Sequence, residues 1–355
     1  VLVFTPPSGA PVRRVGGLAL ALRLALDAQR AGASAIVCGS ACGVPRHVLA
    51  DARLKIPVVD APPSGAVEVR AGGSFLAHRD TLRELAKTGA DVALTSETPA
   101  PAVPYAFAPI DVVDADAARR AERLLFESLR KPQDGWTSRL LNRRISLAIS
   151  RWLVQTRLTP NQVSVGILSV GLLGAYLASR GTYASMVVGA LLFQAQSVLD
   201  GCDGEMSRVT YRGSHLGEWL DTIGDDLTNY GFFGGAALGL HHATGSLLYL
   251  AAGAVVVGTG VVASAIEYRY LLRIGSGDLL KYPTSRTASE GTGFLAAIAP
   301  LFKRDTFVFL TLVAAVLNLL GPMLVVFAVA AVGIFANVLA AEARMARERG
   351  PSRPA

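Results

Sequence analysis

Cysteine is scarce, with three in 355 residues. Cys38, Cys42 and Cys202 are too few and too irregularly spaced for a disulfide scaffold or a zinc site, which excludes a secreted, disulfide-stapled protein. Charge is scarce as well. Charged side chains make up 17% of the chain, against about 25% in an ordinary soluble domain. With 51% hydrophobic residues and a mean hydropathy of +0.41, the chain is too apolar to be soluble along its whole length. A basic stripe interleaved with aromatics is also missing, so the net charge of +7 does not point to nucleic acid. Most Lys and Arg of the second half flank apolar runs, where they orient spans and meet anionic headgroups. The expected partner is a lipid bilayer.

What is present changes character near residue 130. Before it, short apolar runs (Val1–Phe4, Ala35–Val37, Val58–Val59, Val92–Leu94) alternate with helical periodicity over Gly17–Ala31 and Asp80–Thr88 and with Pro/Gly turns. That alternation predicts a small, mostly parallel α/β domain. Val1–Thr5 is too short for a signal peptide and is cut off by Pro6 and Pro7, so the domain is expected to stay where it is made.

Past residue 157, four stretches carry no Asp, Glu, Lys or Arg: Thr159–Ser179, Gly181–Leu199, Leu227–Ile266 and Thr306–Ala341. A span takes about 20 residues. The last two stretches each hold about two, with breaks expected at His241–Gly245 and Gly321-Pro322. The pattern predicts an all-α polytopic membrane domain of six transmembrane helices, at roughly 160–180, 183–206, 214–240, 245–272, 304–320 and 322–344. One set of loops holds Arg143, Arg144, Arg151, Arg157, Arg208, Arg212, Arg269, Arg273, Lys281, Arg286, Lys303, Arg304, Arg344, Arg347 and Arg349. The opposite set holds Arg180 alone. This asymmetry places both termini in the cytoplasm. Over Gly135–Thr156, Leu141, Ile145, Ala148, Ile149 and Trp152 share one helical face, which predicts an amphipathic helix in the interface plane. The boundaries expected are 1–128 for the α/β domain, 129–157 for linker and interfacial helix, 158–345 for the membrane domain and 346–355 for a tail.

Acidic residues cluster where they are most costly. Asp200, Asp203, Glu205, Glu218, Asp221 and Asp225 sit in or beside the second and third spans, with Asp226 adjacent. Each carboxylate at membrane depth costs about 2.5–3.5 kcal/mol on insertion scales. Asp200 and Asp203 share a helix face, as do Asp221 and Asp225. Two such faces turned together make four carboxylates around one point, a hard-oxygen set suited to Mg²⁺ or Mn²⁺ rather than zinc. Two such ions are the usual device for displacement at phosphorus. Arg208 would add a fork for phosphate oxygens. A cation- or proton-coupled transporter would use the same carboxylates, and a membrane-anchored binding protein is the third alternative.

The run Asp200-x2-Asp203-Gly204-x2-Ser207-Arg208-x8-Gly217-x3-Asp221-x3-Asp225 resembles the signature of the CDP-alcohol phosphotransferases, with Ser207 where that family usually has Ala. Leu158-Thr159-Pro160-Asn161 is similar to the family's entry into its first span. The resemblance covers about residues 157–345. It implies that Asp200, Asp203, Asp221 and Asp225 hold two divalent cations, with Asp225 as ligand or catalytic base. It also implies that Asn161, Gly204, Ser207, Arg208 and Gly217 line the CDP site, and that the protein is a homodimer. The implied reaction is attack of an alcohol on the phosphoryl group of a CDP-alcohol, of CDP-diacylglycerol or CDP-inositol type, releasing CMP.

Val15-Gly16-Gly17-Leu18, a helix and then Gly32–Val37 look like the start of a sugar-nucleotidyltransferase domain. The loop Thr5–Pro11 lacks the Gly-rich pattern of working members, and Arg13 and Arg14 stand where a Lys is expected. A degenerate nucleotidyltransferase-like domain is the implication. The joining stretch from Ala118 to Arg143 resembles the junction in fusions of an inositol-phosphate cytidylyltransferase with a di-myo-inositol-phosphate phosphate synthase. A polyol phosphate acceptor follows from that likeness, with Arg269, Arg273, Lys281 and Arg286 as candidate phosphate ligands.

Overall fold

Alternation of buried and half-buried side chains makes Leu2–Thr5 a strand (β1), with Leu2 and Phe4 in the core. The structure is a computed structural model that describes residues 1–131, 137–283 and 303–348. It divides into two compact units: Val1–Asp134 with Leu147–Leu158 and Glu205–Arg212, and Gly135–Ser146 with Thr159–Gly204 and Gly213–Ala355.

In the first unit, β2 (Arg14–Val15) and β3 (Leu18–Ala19) form a two-residue hairpin. Gly16 and Gly17 have φ of +56° and +74°, the left-handed pair that a tight hairpin turn requires. The amphipathic helix α1 (Leu20–Ala31) follows and stops at Gly32. Then come β4 (Ile36–Val37), the single turn α2 (Arg46–Leu49), β5 (Val58–Val59), β6 (Val69–Gly72), β7 (Phe75–Leu76), α3 (Thr81–Lys87), β8 (Val92–Ala93), β9 (Ile110–Asp111) and α4 (Ala115–Glu127). Five strands form a parallel sheet in the order β5-β4-β1-β6-β8. The expected α/β region is therefore present. β6 is not among the expected strands, because Arg70 and Gly72 interrupt its apolar pattern, yet it pairs with β1 over four residues from Leu2–Val69 to Thr5–Gly72. Leu24, Ala25 and Ala28 of α1 pack on Leu2, Ile36 and Val69. Cys38 and Cys42 are joined in a local disulfide, and the buried Cys202 thiol faces the Ser146 carbonyl at 3.6 Å.

The expected interfacial helix begins as a π-turn (Ser138–Asn142) and continues as α5 (Arg143–Leu153). Its polar side is buried, with Asn142, Ser146 and Ser150 enclosed, while Leu141, Ile145 and Trp152 are exposed. An apolar face turned outward is the reverse of a helix in water and fits a helix lying in a bilayer surface.

A helix stands at each of the six expected places: α6 (Pro160–Ala178), α7 (Tyr183–Thr210), α8 (His215–Thr244), α9 (Leu247–Ile274), α10 (Arg304–Val316) and α11 (Leu320–Glu348). Four are long and apolar enough to cross a membrane, namely α6, α7, α9 and Leu320–Met345 of α11. α8 is long, but its first half carries four carboxylates and its end two histidines. α10 has only 13 residues. The Gly245 turn is where it was expected, closing α8 in a left-handed conformation. The last turn is not. The chain breaks at Asn318 (φ +57°), and Pro322 lies in the first turn of α11, where a missing N–H leaves no helix bond unmade.

Small residues bring these helices together. A Cβ on Gly235 would stand 2.3 Å from the Ala175 carbonyl oxygen, and one on Gly239 would stand 2.1 Å from that of Ala178, so α8 lies backbone-to-backbone on α6. Gly174 and Gly189 seat α6 on α7 the same way. Close approach of this kind stabilises helix pairs where lipid removes the hydrophobic drive. Phe193 and Phe232 stack at 4.4 Å in the centre of the core.

Candidate functional site

Thr159 caps α6 in a reciprocal capping box with Gln162, and Pro160 occupies the first turn. This entry fixes Asn161. Ser214, the N-cap of α8, donates from its hydroxyl to Asn161 Oδ1 at 3.4 Å and receives the Gly217 N–H at 3.0 Å. A Cβ on Gly217 would lie 3.1 Å from Asn161 Oδ1. Two of the residues assigned to CDP by resemblance, Asn161 and Gly217, are thus neighbours at the starts of α6 and α8.

The four aspartates also come together. Asp200 and Asp203 of α7 and Asp221 and Asp225 of α8 line one cavity with Ser164, Gln196 and Gly224. Its volume is about 10 Å³, room for a single water-sized sphere. Asp203 accepts from the Ser164 hydroxyl and, at 2.6 Å, from the Gly204 N–H. The Arg304 guanidinium, at the head of α10, lies 3.3 Å from Asp200 Oδ2 and 2.9 Å from Asp225 Oδ1. It donates to Gln196 Oε1 at 2.7 Å and reaches Asn229 Oδ1 at 3.4 Å.

Among the described residues, no group of three or more His, Cys, Asp or Glu side chains stands ready-made around a metal position. The donor chemistry nevertheless fits a hard cation, because every converging carboxylate supplies oxygen alone. Asp225 Oδ1 is buried and has no hydrogen-bond partner, since the nearby guanidinium is not aligned with it. Arg304 supplies positive charge to two of the four acids. In the sequence Arg304 is one of the general loop cations, and Ser164, Gln196 and Asn229 carry no signal at all.

The remaining acids have structural partners. Glu205 is fully buried and accepts from Ser150 at 2.6 Å. Glu218 faces the Gly277 N–H at 3.3 Å. Asp226 accepts from Tyr268 at 2.7 Å and from Ser264. Ser207 and Arg208 stand on the last turn of α7, within the first unit. Of the candidate acceptor cations, Arg269 pairs with Glu342 at 3.2 Å, and Lys281 donates to Ser276 at 2.8 Å. Arg273 is exposed at the end of α9, and Arg286 lies outside the described residues. None of the three described cations lines the aspartate cavity.

The first unit has a larger cavity, about 480 Å³, at the carboxyl ends of β4 and β5. Arg46 and Asp60 pair across its wall, and among the described residues it gathers no acidic cluster.

No family model matches the chain. Curated relatives do. The chain is similar to proteins named bifunctional IPC transferase and DIPP synthase. The protein of that name from Aquifex aeolicus is 35% identical over 133 residues, covering 37% of this chain and 29% of its own length. The one from Thermococcus kodakarensis is 40% identical over 116 residues, 32% of this chain and 26% of its own. That from Rubrobacter xylanophilus is 28% identical over 205 residues, 58% of this chain and 44% of its own. The chain therefore spans between a quarter and a half of the length of the relatives it matches. Their names agree with the fusion type whose junction and motif this sequence resembles.

Proposed function

We propose that the chain is a membrane-embedded CDP-alcohol phosphotransferase, making an inositol phosphodiester or a phospholipid. The observation that carries this reading is the convergence of Asp200, Asp203, Asp221 and Asp225 on one cavity, with Asp225 Oδ1 buried and lacking a hydrogen bond. These four would hold two Mg²⁺ or Mn²⁺ ions. Such ions supply neutralisation of the pyrophosphate and stabilisation of the leaving phosphate.

The protein's own groups do the rest. Asp225 takes the proton from the acceptor hydroxyl as its oxygen attacks the phosphorus that carries the donor's alcohol. The bond from that phosphorus to the bridging oxygen breaks, and CMP leaves with the electron pair. Asn161, Gly204, Ser207, Arg208 and Gly217 bind the CDP part. Ser164 orients Asp203 through its hydroxyl, and Arg304 balances Asp200 and Asp225. Arg269, Arg273, Lys281 and Arg286 are the candidates for an acceptor phosphate. The relatives' names favour an inositol-type product, with CDP-diacylglycerol as the alternative donor. The reading includes six membrane crossings, both termini and the site on the cytoplasmic side, a homodimer, and a first domain without nucleotidyltransferase activity.

The test is CMP release by purified protein across a panel of CDP-alcohols and acceptors with Mg²⁺ or Mn²⁺. Activity that depends on the metal and falls by about 10³-fold or more in Asp225→Asn is the expected outcome. Solute uptake into proteoliposomes without nucleotide consumption, and no CMP from any donor, would overturn the reading in favour of a transporter.

A further inference from the structure

The α/β unit grips the segment between the two halves of the aspartate motif. That segment, Glu205–Arg212, is the end of α7 and the residues after it, and it packs as part of the first unit. At its exit Tyr211 takes φ +57°, a conformation that a bulky residue adopts only when its surroundings impose it. Those surroundings are one face of α1. Arg23, Asp27 and Arg30 recur at helical spacing. The Arg30 guanidinium lies 4.3 Å over the Tyr211 ring, and that of Arg23 lies 5.5 Å from it. Tyr211 also lies beside the buried carboxyl of Asp27 and acts on it electrostatically.

A second hold is independent of the ring. Arg53 Nη1 donates to the Thr210 carbonyl at 2.5 Å, one of the last helix carbonyls with no partner inside the helix. Arg53 is itself fixed by a two-bond fork to Asp51, at 2.7 and 2.6 Å. The hairpin turn closes the third side, where a Cβ on Gly16 would come within 2.7 Å of Val209 Cγ1. Three elements of the α/β fold therefore converge on eight residues that stand between Asp203 and Gly217 in the motif. None of the gripping residues belongs to that motif.

We propose that the first unit is a clamp whose task is to hold residues 205–212 in the conformation that presents Ser207 and Arg208 to the nucleotide, with Tyr211 and Arg53 as its positioning residues. The proposal rests on the CDP-alcohol reading for its ligand, but not for the clamp itself. It gives a domain lacking the loop of a working nucleotidyltransferase a mechanical part in the reaction.

The full-length chain tests it with two readouts: amide hydrogen exchange over 205–212, and CMP affinity by calorimetry with Mn²⁺ present. Tyr211→Ala removes the ring, and Arg53→Gln, at a half-buried position, releases the carbonyl with less risk to folding. Both are expected to speed exchange across 205–212 by about tenfold and to weaken CMP by about tenfold. Leu49→Ala, which destabilises the same unit through its core, is expected to change neither. Exchange unaltered in both variants refutes the clamp. Faster exchange with undiminished CMP affinity refutes the positioning role. A wild-type protein that binds no CMP sinks the CDP-alcohol reading and the positioning role with it, while the exchange data still decide the clamp.

Discussion

Replacing Arg304 with methionine keeps the bulk of the stem and removes the charge between two carboxylates. The guanidinium lies 2.9 Å from Asp225 Oδ1 and 3.3 Å from Asp200 Oδ2, at a place where all three side chains are between one-fifth and about one-quarter exposed. Removing one partner of a buried ion pair costs about 3–5 kcal/mol, and partial exposure here brings the expectation to about 2–3 kcal/mol. For a helical unit of this size that corresponds to a fall in Tm of about 5–10 °C. The same deletion takes away the cation that competes with a divalent ion for these oxygens. A ligand at a hundred times its Kd stabilises by about 2.7 kcal/mol, enough to offset the loss. Melting of detergent-solubilised wild type and Arg304→Met in EDTA and in rising Mn²⁺ reads both effects. The variant is expected to melt lower without metal and to gain more from Mn²⁺ than the wild type. An unchanged Tm in EDTA, or an Mn²⁺ response no larger than the wild type's, would refute both the charge-balancing role and the metal site.

Two further outcomes follow from the packing and from Asp27. Gly235→Ala pushes a methyl into the Ala175 carbonyl and is expected to cost about 1–3 kcal/mol. Gly258→Ala, on α9 with nothing within 4 Å, is expected to leave Tm unchanged or slightly raised, and thermal melting compares them directly. Burial pushes the Asp27 carboxyl from 3.8 up to about 6, against the opposing influence of Tyr211, Arg23, Arg30 and Arg79. A raised carboxyl favours the folded state when protonated, so its contribution is complete below about pH 4 and is lost as the pH rises through about 6. The difference is about 3 kcal/mol. Asp27→Asn is expected to flatten the pH dependence of stability across that window, and equal slopes for variant and wild type would count against it.

The legible parts of the molecule were those written in local pattern. β1, α1 and the six C-terminal helices follow from runs of apolar residues and their punctuation. The aspartate cavity follows from intervals of three and four within two helices. β6 was hidden because a four-residue strand holding Arg and Gly has no period to read. Arg304 was hidden for a different reason. Its position beside Asp225 is made by the packing of distant helices, and in the sequence it is one of many basic residues near a span end. The same holds for Tyr211, whose partners lie on a helix almost two hundred positions earlier. For α5 the amphipathic spacing is plain, whereas the burial of its serines beneath an outward Trp152 is set by tertiary packing.

The first unit takes in Leu147–Leu158 and Glu205–Arg212 as well as the residues before Asp134. During synthesis its earliest strands and α1 leave the ribosome long before Tyr211 and Val154 exist, so the cluster of Leu18, Leu22 and Leu26 lacks its Tyr211 cover while α6 and α7 are made. Completion of the α/β fold in this way waits for the helices that follow it in the chain. A gene cut at the compositional boundary would yield a fragment with its last-arriving pieces missing.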